Sequence, residues 1–319
     1  MSDKKEANQV ENLVHNFLQY LKLEKNYSEK TLESYGHYLT RFLNWTNVKK
    51  VSSISPTLIR DYQVKLFDFK NEKGRKLKPK TRNYHLIALR SFLRYLITER
   101  GLEVMPPEKI SLGKTGEREI DFLQSEELRK LFFAPNSKTK IGKRDRAILE
   151  LLFSTGLRVS ELVSLNRDKI NLETREFSVV GKGGKSRVVF VSDRAARALS
   201  EYLETREDDL DPLFIRYRGP APDEGEDEDE AYRLSARSVQ RLVKKYVHKL
   251  GLTTEATPHT LRHTFATDLL RAGADVREVQ ELLGHKNVST TQIYTHVTDQ
   301  KLKEVHEEYH SGNEDGDSS

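Results

Sequence analysis

Thr257-Pro258-His259-Thr260-Leu261-Arg262-His263, followed by Gly284-His285 and then by Ile293-Tyr294-Thr295, is the stretch that decides how this chain is read. Pro258 suits the first position of a helix and Thr257 its cap, so a helix is expected from Pro258 to Arg271. His259 and Arg262 then lie three apart on one face, beside the positive end of that helix. Two cationic groups there repel unless an anion is usually present. Arg262 can hold two phosphate oxygens through its fork, and His259 can shuttle a proton. His263 points elsewhere and reads as structural. Gly284 reads as the left-handed end of a helix from Val276 to Leu283, which frees His285 from helical geometry. Ser289-Thr290-Thr291 restarts a helical segment around 291–297, with Tyr294 one turn in. A tyrosine in such a place is ordinarily a half-buried packing residue; the cations around it make it a candidate nucleophile.

A second cluster lies upstream in Ser154-Thr155-Gly156-Leu157-Arg158-Val159-Ser160-Glu161-Leu162. A helix opens after the glycine turn with Arg158 in its first turn, where a basic side chain is disfavoured by the dipole unless it faces an anion. Glu161, three residues on, can hold the guanidinium in place. Alone, this reads first as an ordinary surface pair. Further on, Glu176–Val180 and Arg187–Val191 read as strands, and Gly181-Lys182-Gly183-Gly184-Lys185-Ser186 supplies the turn of a hairpin. Lys182, Lys185 and Arg187 share that tip. Exposed basic tips usually stay solvated, but phosphoryl transfer needs an acid for the departing 5′-hydroxyl. A lysine desolvated against nucleic acid is a reasonable donor.

The N-terminal hundred residues are helical by pattern. Val10, Leu13, Val14, Phe17, Leu18 and Leu21 mark one apolar face. A second helix starts at Ser28-Glu-Lys-Thr and runs to about Trp45, a third begins near Ser55-Pro56, and a fourth carries Leu86, Leu89, Phe92, Leu93 and Leu96. Together they form a small helical bundle. Lys78, Lys80, Arg82 and Arg90, with Tyr84 among them, gather at the start of the fourth helix. They are a candidate phosphate grip or simply an exposed helix face. Residues from Met105 to Glu117 bear Pro and Gly without periodicity and read as the domain boundary. Beyond it, helices are expected from Ser125, at Asp145–Phe153, at Ala195–Leu203 and at Ala236–Leu250.

With 319 residues the chain suits two domains. Its 36% hydrophobic and 32% charged content is that of a globular protein, and no apolar run is long enough to cross a membrane. The polar start carries no secretory signal core. Cysteine is absent, which excludes disulfides and thiolate metal sites and fits a reducing cytoplasm. No metal is expected. The net charge of +5 includes seven acids in 223–230 and three more at Glu314, Asp315 and Asp317. Without those ten, 39 acids face 54 Lys and Arg, an excess of 15 that suits a polyanionic partner or a merely well-solvated surface.

Taken together, these boxes resemble the tyrosine recombinases (phage integrase family), and within them the Xer type that resolves chromosome dimers. The residues that carry the resemblance are Ser-Thr-Gly-Leu-Arg158-Val-Ser-Glu-Leu, Gly-Lys182-Gly-Gly-Lys-Ser-Arg, Pro-His259-Thr-Leu-Arg262-His-Thr-Phe-Ala-Thr, and Leu-Gly-His285 with Ile-Tyr294-Thr-His. The resemblance implies a mostly α fold with a small β-sheet: a four-helix, SAM-like core-binding domain over 1–112, a linker at 113–120, a catalytic domain over 121–310 and an acidic tail at 311–319, clamping DNA. It implies that Tyr294 attacks the scissile phosphate to give a 3′-phosphotyrosyl link. Arg158 and Arg262 would clamp the nonbridging oxygens, Lys182 would protonate the leaving oxygen, His259 would act as acid/base on the tyrosine, His285 would hydrogen-bond the phosphate, and Glu161 would support Arg158. No cofactor and no ATP are required. Candidate DNA contacts are Lys30, Thr31, Tyr35, Lys78, Lys80, Arg82, Arg90, Lys185 and Arg187. The implied partners are double-stranded DNA, a homo- or hetero-tetramer in which residues 302–310 dock on a neighbour, and a septal DNA translocase. Two departures from the family pattern are the long acidic run at 223–230 and Phe190-Val191 in place of Val-Pro. A mobile-element integrase, a type IB topoisomerase and a silent DNA-binding protein of the same fold are the alternatives.

Overall fold

The structure is a computed structural model and describes residues 2–115, 122–181 and 186–284. The chain divides into two compact units, Met1–Arg118 and Glu119–Ser319.

The first unit holds α1 (Ser2–Leu23), α2 (Glu29–Thr46), α3 (Pro56–Asp68) and α4 (Pro79–Thr98). Their starts follow local chemistry. Ser55 accepts from the Leu58 amide at 3.2 Å with Pro56 behind it, and Pro79 opens α4 directly after Lys78. α4 packs against each of the other three and buries Leu86, Leu89, Phe92, Leu93 and Leu96. Phe17 of α1 meets Phe92 and Tyr95 with ring centroids 5.5 and 5.3 Å apart. Within this apolar body Tyr62 and His85 share a hydrogen bond of 3.0 Å. The segment that reads as a boundary from Met105 onward is tied down as far as Gly113. Ile110 is buried in the same core, and the Asn83 side chain donates to the Gly113 carbonyl at 2.8 Å and accepts from its amide at 2.9 Å. This glycine- and proline-bearing stretch looks like linker because its buried residues, Met105, Pro107 and Ile110, follow no helical or strand period, and the rest of its anchoring is through main-chain groups.

The second unit is built around α6 (Lys140–Thr155), in which Ala147, Ile148, Leu149, Leu151 and Leu152 are fully buried. α5 (Ser125–Phe133), α8 (Asp193–Leu203) and α11 (Pro258–Arg271) pack against it. The remaining elements are α7 (Val159–Val163), α9 (Glu228–Tyr232), α10 (Ala236–Leu250) and α12 (Val276–Leu283). β1 (Glu176–Val180) and β2 (Ser186–Phe190) pair antiparallel, with Glu176 opposite Phe190 and Val180 opposite Ser186. Phe177, Val179 and Val189 face the core, so the sheet is a two-stranded flap against a helical body. The mostly helical fold with a small sheet matches the expectation from sequence. α6 begins five residues before the expected Asp145, because Thr139 caps it by accepting from the Gly142 amide at 3.0 Å.

The acidic stretch is not a plain loop. Asp227 caps α9 by accepting from the Glu230 amide, and Asp229 accepts from the Asp211 amide at 2.8 Å. Acids are favourable in a helix's first turn, so part of this charge serves helix formation.

Candidate active site

Gly156 ends α6 in the left-handed conformation (φ 58°), and Arg158 stands two residues later at the position just before α7, not inside its first turn. A β-carbon at Gly156 would stand 2.5 Å from the Phe265 ring and 2.9 Å from Leu283, so any other residue strains the turn and displaces its neighbours. Gly284, also left-handed (φ 63°), ends α12, where a β-carbon would come within 3.0 Å of the Arg187 side chain. These two glycines bring the α6–α7 turn, α11 and the end of α12 into contact.

Three guanidinium groups meet there. Arg187 donates through Nε to the Leu282 carbonyl at 3.0 Å, Arg262 through Nη2 to the Leu283 carbonyl at 2.6 Å, and Arg158 through Nη2 to the Gly284 carbonyl at 3.1 Å. A helix C-terminus leaves its last carbonyls without helical partners and carries negative dipole, so it is a natural dock for cations. Arg262 also reaches the Gly156 carbonyl through Nη1 at 2.5 Å, which ties α11 to both turns. Its side chain is only 3% exposed, which is where an arginine needs a fixed role.

Glu161 balances part of this charge. It accepts from the Arg158 amide at 2.9 Å, the reach-back half of a capping box, and from Arg158 Nη1 at 2.7 Å. Arg187 grips the same carboxylate with both terminal nitrogens, at 3.0 and 2.8 Å. Burial alone would raise the Glu161 pKa. The hydrogen bonds from Arg187 and from the Arg158 amide and side chain outweigh it and hold the carboxyl at about 2. Three arginines against one carboxylate leave a surplus of positive charge, suited to a phosphodiester.

His259 stands exposed in the first turn of α11, its ring 4.3 Å from that of His263, which is buried. Thr257 and Thr260 cap each other across the helix start at 3.1 and 3.2 Å. Arg158, His259 and Arg262 line one cleft of about 720 Å³. Gln240, Lys244 and His248 of α10 line it too. The sequence reading missed these three. Their spacing of four puts them on one helical face, but only the packing of α10 aims that face at the cleft.

Lys182, Lys185, His285, Tyr294 and the 302–310 segment lie outside the described residues. Arg187, read as part of an exposed hairpin tip, sits inside β2 with its side chain 11% exposed; the Glu161 carboxylate draws it inward. His259 and His263 have a helical spacing that a metal can use, as do His306 and His310 in His306-Glu-Glu-Tyr-His310. Among the described residues no group of three or more His, Asp or Glu is placed to hold a metal ion. The 306–310 run lies outside them.

Among the N-terminal candidates, Lys78 and Lys80 are exposed and Arg82 and Arg90 half-buried. Arg82 and Lys76 cover the exposed Phe67 ring at 4.8 and 4.5 Å, and Lys80 stands 6.0 Å from the Tyr84 ring. Lys30 pairs with Glu33 at 3.1 Å, and Thr31 shares a hydrogen bond with Ser28 at the start of α2. Tyr35 is half-buried, its ring packed against those of Phe17 and the exposed Tyr27.

Comparison with known proteins adds the family. Residues 121–301 match the phage integrase family, and residues 14–100 match its N-terminal SAM-like domain. The chain belongs to the phage integrase family, the tyrosine-type site-specific recombinases. It is 38% identical to tyrosine recombinase XerC of Bacillus pumilus, over 93% of this chain and 96% of that one. It is 33% identical to tyrosine recombinase XerD of Listeria innocua, over 94% and 99%. Among solved structures, XerA recombinase is similar at 29% identity and TM-score 0.51, covering 94% and 98% of the two chains. The fold is also shared with a XerH site-specific recombinase bound to a palindromic difH substrate, at 22% identity and TM-score 0.67, over 92% and 84%. No helix among the described residues is long and apolar enough to cross a membrane.

Proposed function

We propose that this recombinase binds double-stranded DNA at a specific site and exchanges strands through a 3′-phosphotyrosyl intermediate, resolving chromosome or plasmid dimers in the cytoplasm. The observation that carries this is the meeting of Arg158 and Arg262, about a hundred residues apart in sequence, at the end of the helix that leads into His285. Xer-type relatives spanning almost the whole chain support the cellular role.

In the proposed step, Tyr294 Oη attacks the phosphorus as its proton passes to His259. The P–O5′ bond breaks, and Lys182 delivers a proton to the 5′-oxygen. Arg158 and Arg262 take the charge that builds on the nonbridging oxygens, with His285 as a further donor. The phosphotyrosyl bond keeps the energy of the broken diester, so the reverse step joins the tyrosine-linked 3′ end to a partner's 5′-hydroxyl with no ATP. Residues 1–112 grip DNA with Lys78, Lys80, Arg82 and Arg90; 113–120 link them to a catalytic domain over 121–310. The protein acts as a homo- or hetero-tetramer on paired sites, residues 302–310 dock on a neighbour, and a septal translocase activates it.

A nicked duplex carrying the sequence that the protein selects from a randomised pool tests the reading. Cleavage beside the nick lets the short 5′-hydroxyl fragment diffuse away and traps the adduct. Wild type is expected to form a covalent complex resistant to denaturant, and Tyr294→Phe none. An adduct that persists in Tyr294→Phe contradicts the assignment.

A further inference from the structure

We propose that Arg187 is a positioning residue of the cleavage site, clamping the Glu161–Arg158 pair to the end of α12. The inference rests on the recombinase reading above. Arg187 uses all three guanidinium nitrogens for this: Nε on the Leu282 carbonyl, Nη1 on Glu161 Oε1 and Nη2 on Glu161 Oε2. Three segments distant in sequence are joined through one side chain: β2, the start of α7 and the end of α12. Arg187 also lies directly under Gly284, the residue before His285, close enough that a β-carbon there would stand 3.0 Å from its side chain and press on it.

The geometry separates its role from that of Arg158. Arg158 is 34% exposed and lines the cleft, whereas Arg187 is 11% exposed and is absent from the cleft wall. Arg187 therefore does not reach a bound phosphate. It fixes the face of Glu161 that Arg158 uses, and it fixes the level of the Gly284 carbonyl that Arg158 also grips. Lysine cannot replace it, because a single ammonium cannot span a carboxylate in a fork and a carbonyl at once. Misplacing a catalytic group by about 1 Å costs on the order of a hundredfold in rate.

The test uses the full chain and the same selected nicked duplex. Single-turnover cleavage and equilibrium DNA binding are measured for wild type, Arg187→Lys, Arg158→Lys and the double variant, over hours where slow. Arg187→Lys is expected to cleave about a hundredfold more slowly while its dissociation constant stays within about twofold. In the Arg158→Lys background the further loss from Arg187→Lys shrinks to less than about threefold, because one residue acts through the other. Independent, multiplicative losses, or a loss of DNA binding that matches the loss of rate, overturn the proposal and leave Arg187 a folding residue. Should Arg187→Lys fail to fold, Gly284→Ala disturbs the same contact from the α12 side. It is expected to bind normally and cleave at least about tenfold more slowly, and unchanged cleavage overturns the proposal. No adduct from wild type overturns the function itself; a wild-type adduct with an unchanged Arg187→Lys rate overturns this inference alone.

Discussion

At the scale of single residues, the buried polar groups set how the protein answers to pH. Burial, aided by the charge of Arg41 and by His37, lowers the His85 pKa from 6.5 to about 4. The unfolded chain takes up a proton near the ordinary value while the folded one refuses it until about 4. Stability from neutral His85 is therefore complete above about pH 6.5 and is lost as pH falls toward 4, on the order of 3 kcal/mol in all. Trp45, the single tryptophan, packs 5.9 Å from the Tyr62 ring and reports on this unit within the intact chain. Urea unfolding followed by its fluorescence is expected to lose stability between pH 7 and 4.5, and most of that loss is expected to vanish in His85→Gln. An equal loss in the variant contradicts the assignment. Glu161 has a different window: with its carboxyl held at about 2, its contribution is complete above the ordinary carboxylate range and fails only in strong acid. Little of this was legible in sequence. His85 reads as one polar letter in an apolar helix, and Glu161 announces Arg158 three residues before it but not Arg187.

At the scale of elements, helix limits were legible where caps are local. The expected Ala236–Leu250, Pro258–Arg271 and Val276–Leu283 coincide with α10, α11 and α12. Ser235, Thr257 and Asp275 start them by accepting main-chain hydrogen bonds, and Gly251 and Gly284 end the first and third in left-handed geometry. α9 was not legible, since a run of acids looks like solvated loop until a cap such as Asp227 and a partner such as Asp211 are in place. The same limit applies to Arg187. A strand alternates faces, so one residue's shift in the hairpin's register decides whether the arginine points to solvent or to Glu161. The most constrained element is the turn at Gly156. Gly156→Ala is expected to lower the stability of the catalytic unit by about 2 kcal/mol, from positive φ and from the clash with Phe265 and Leu283. Differential scanning calorimetry of the full chain checks this, and an unshifted transition contradicts it.

At the scale of the whole molecule, two separately cored units carry different parts of the work. The N-terminal unit presents Lys76 and Arg82 over the exposed Phe67 ring, and its proposed grip on a phosphate backbone needs no base sequence. The second unit gathers two far-separated arginines at a helix end and keeps their charge in register with one carboxylate. Sequence order could name Arg158 and Arg262 as partners only through the family resemblance; the packing of α6, α11 and α12 is what brings them together. The central claim is that this cluster serves Tyr294. Digesting the wild-type adduct with trypsin and nuclease, then mapping it by mass spectrometry, tests that claim most directly. The account predicts a nucleotide linked through its 3′-phosphate to Tyr294, in the peptide Asn287–Lys301. Linkage to any other tyrosine, or through a 5′-phosphate, would contradict it.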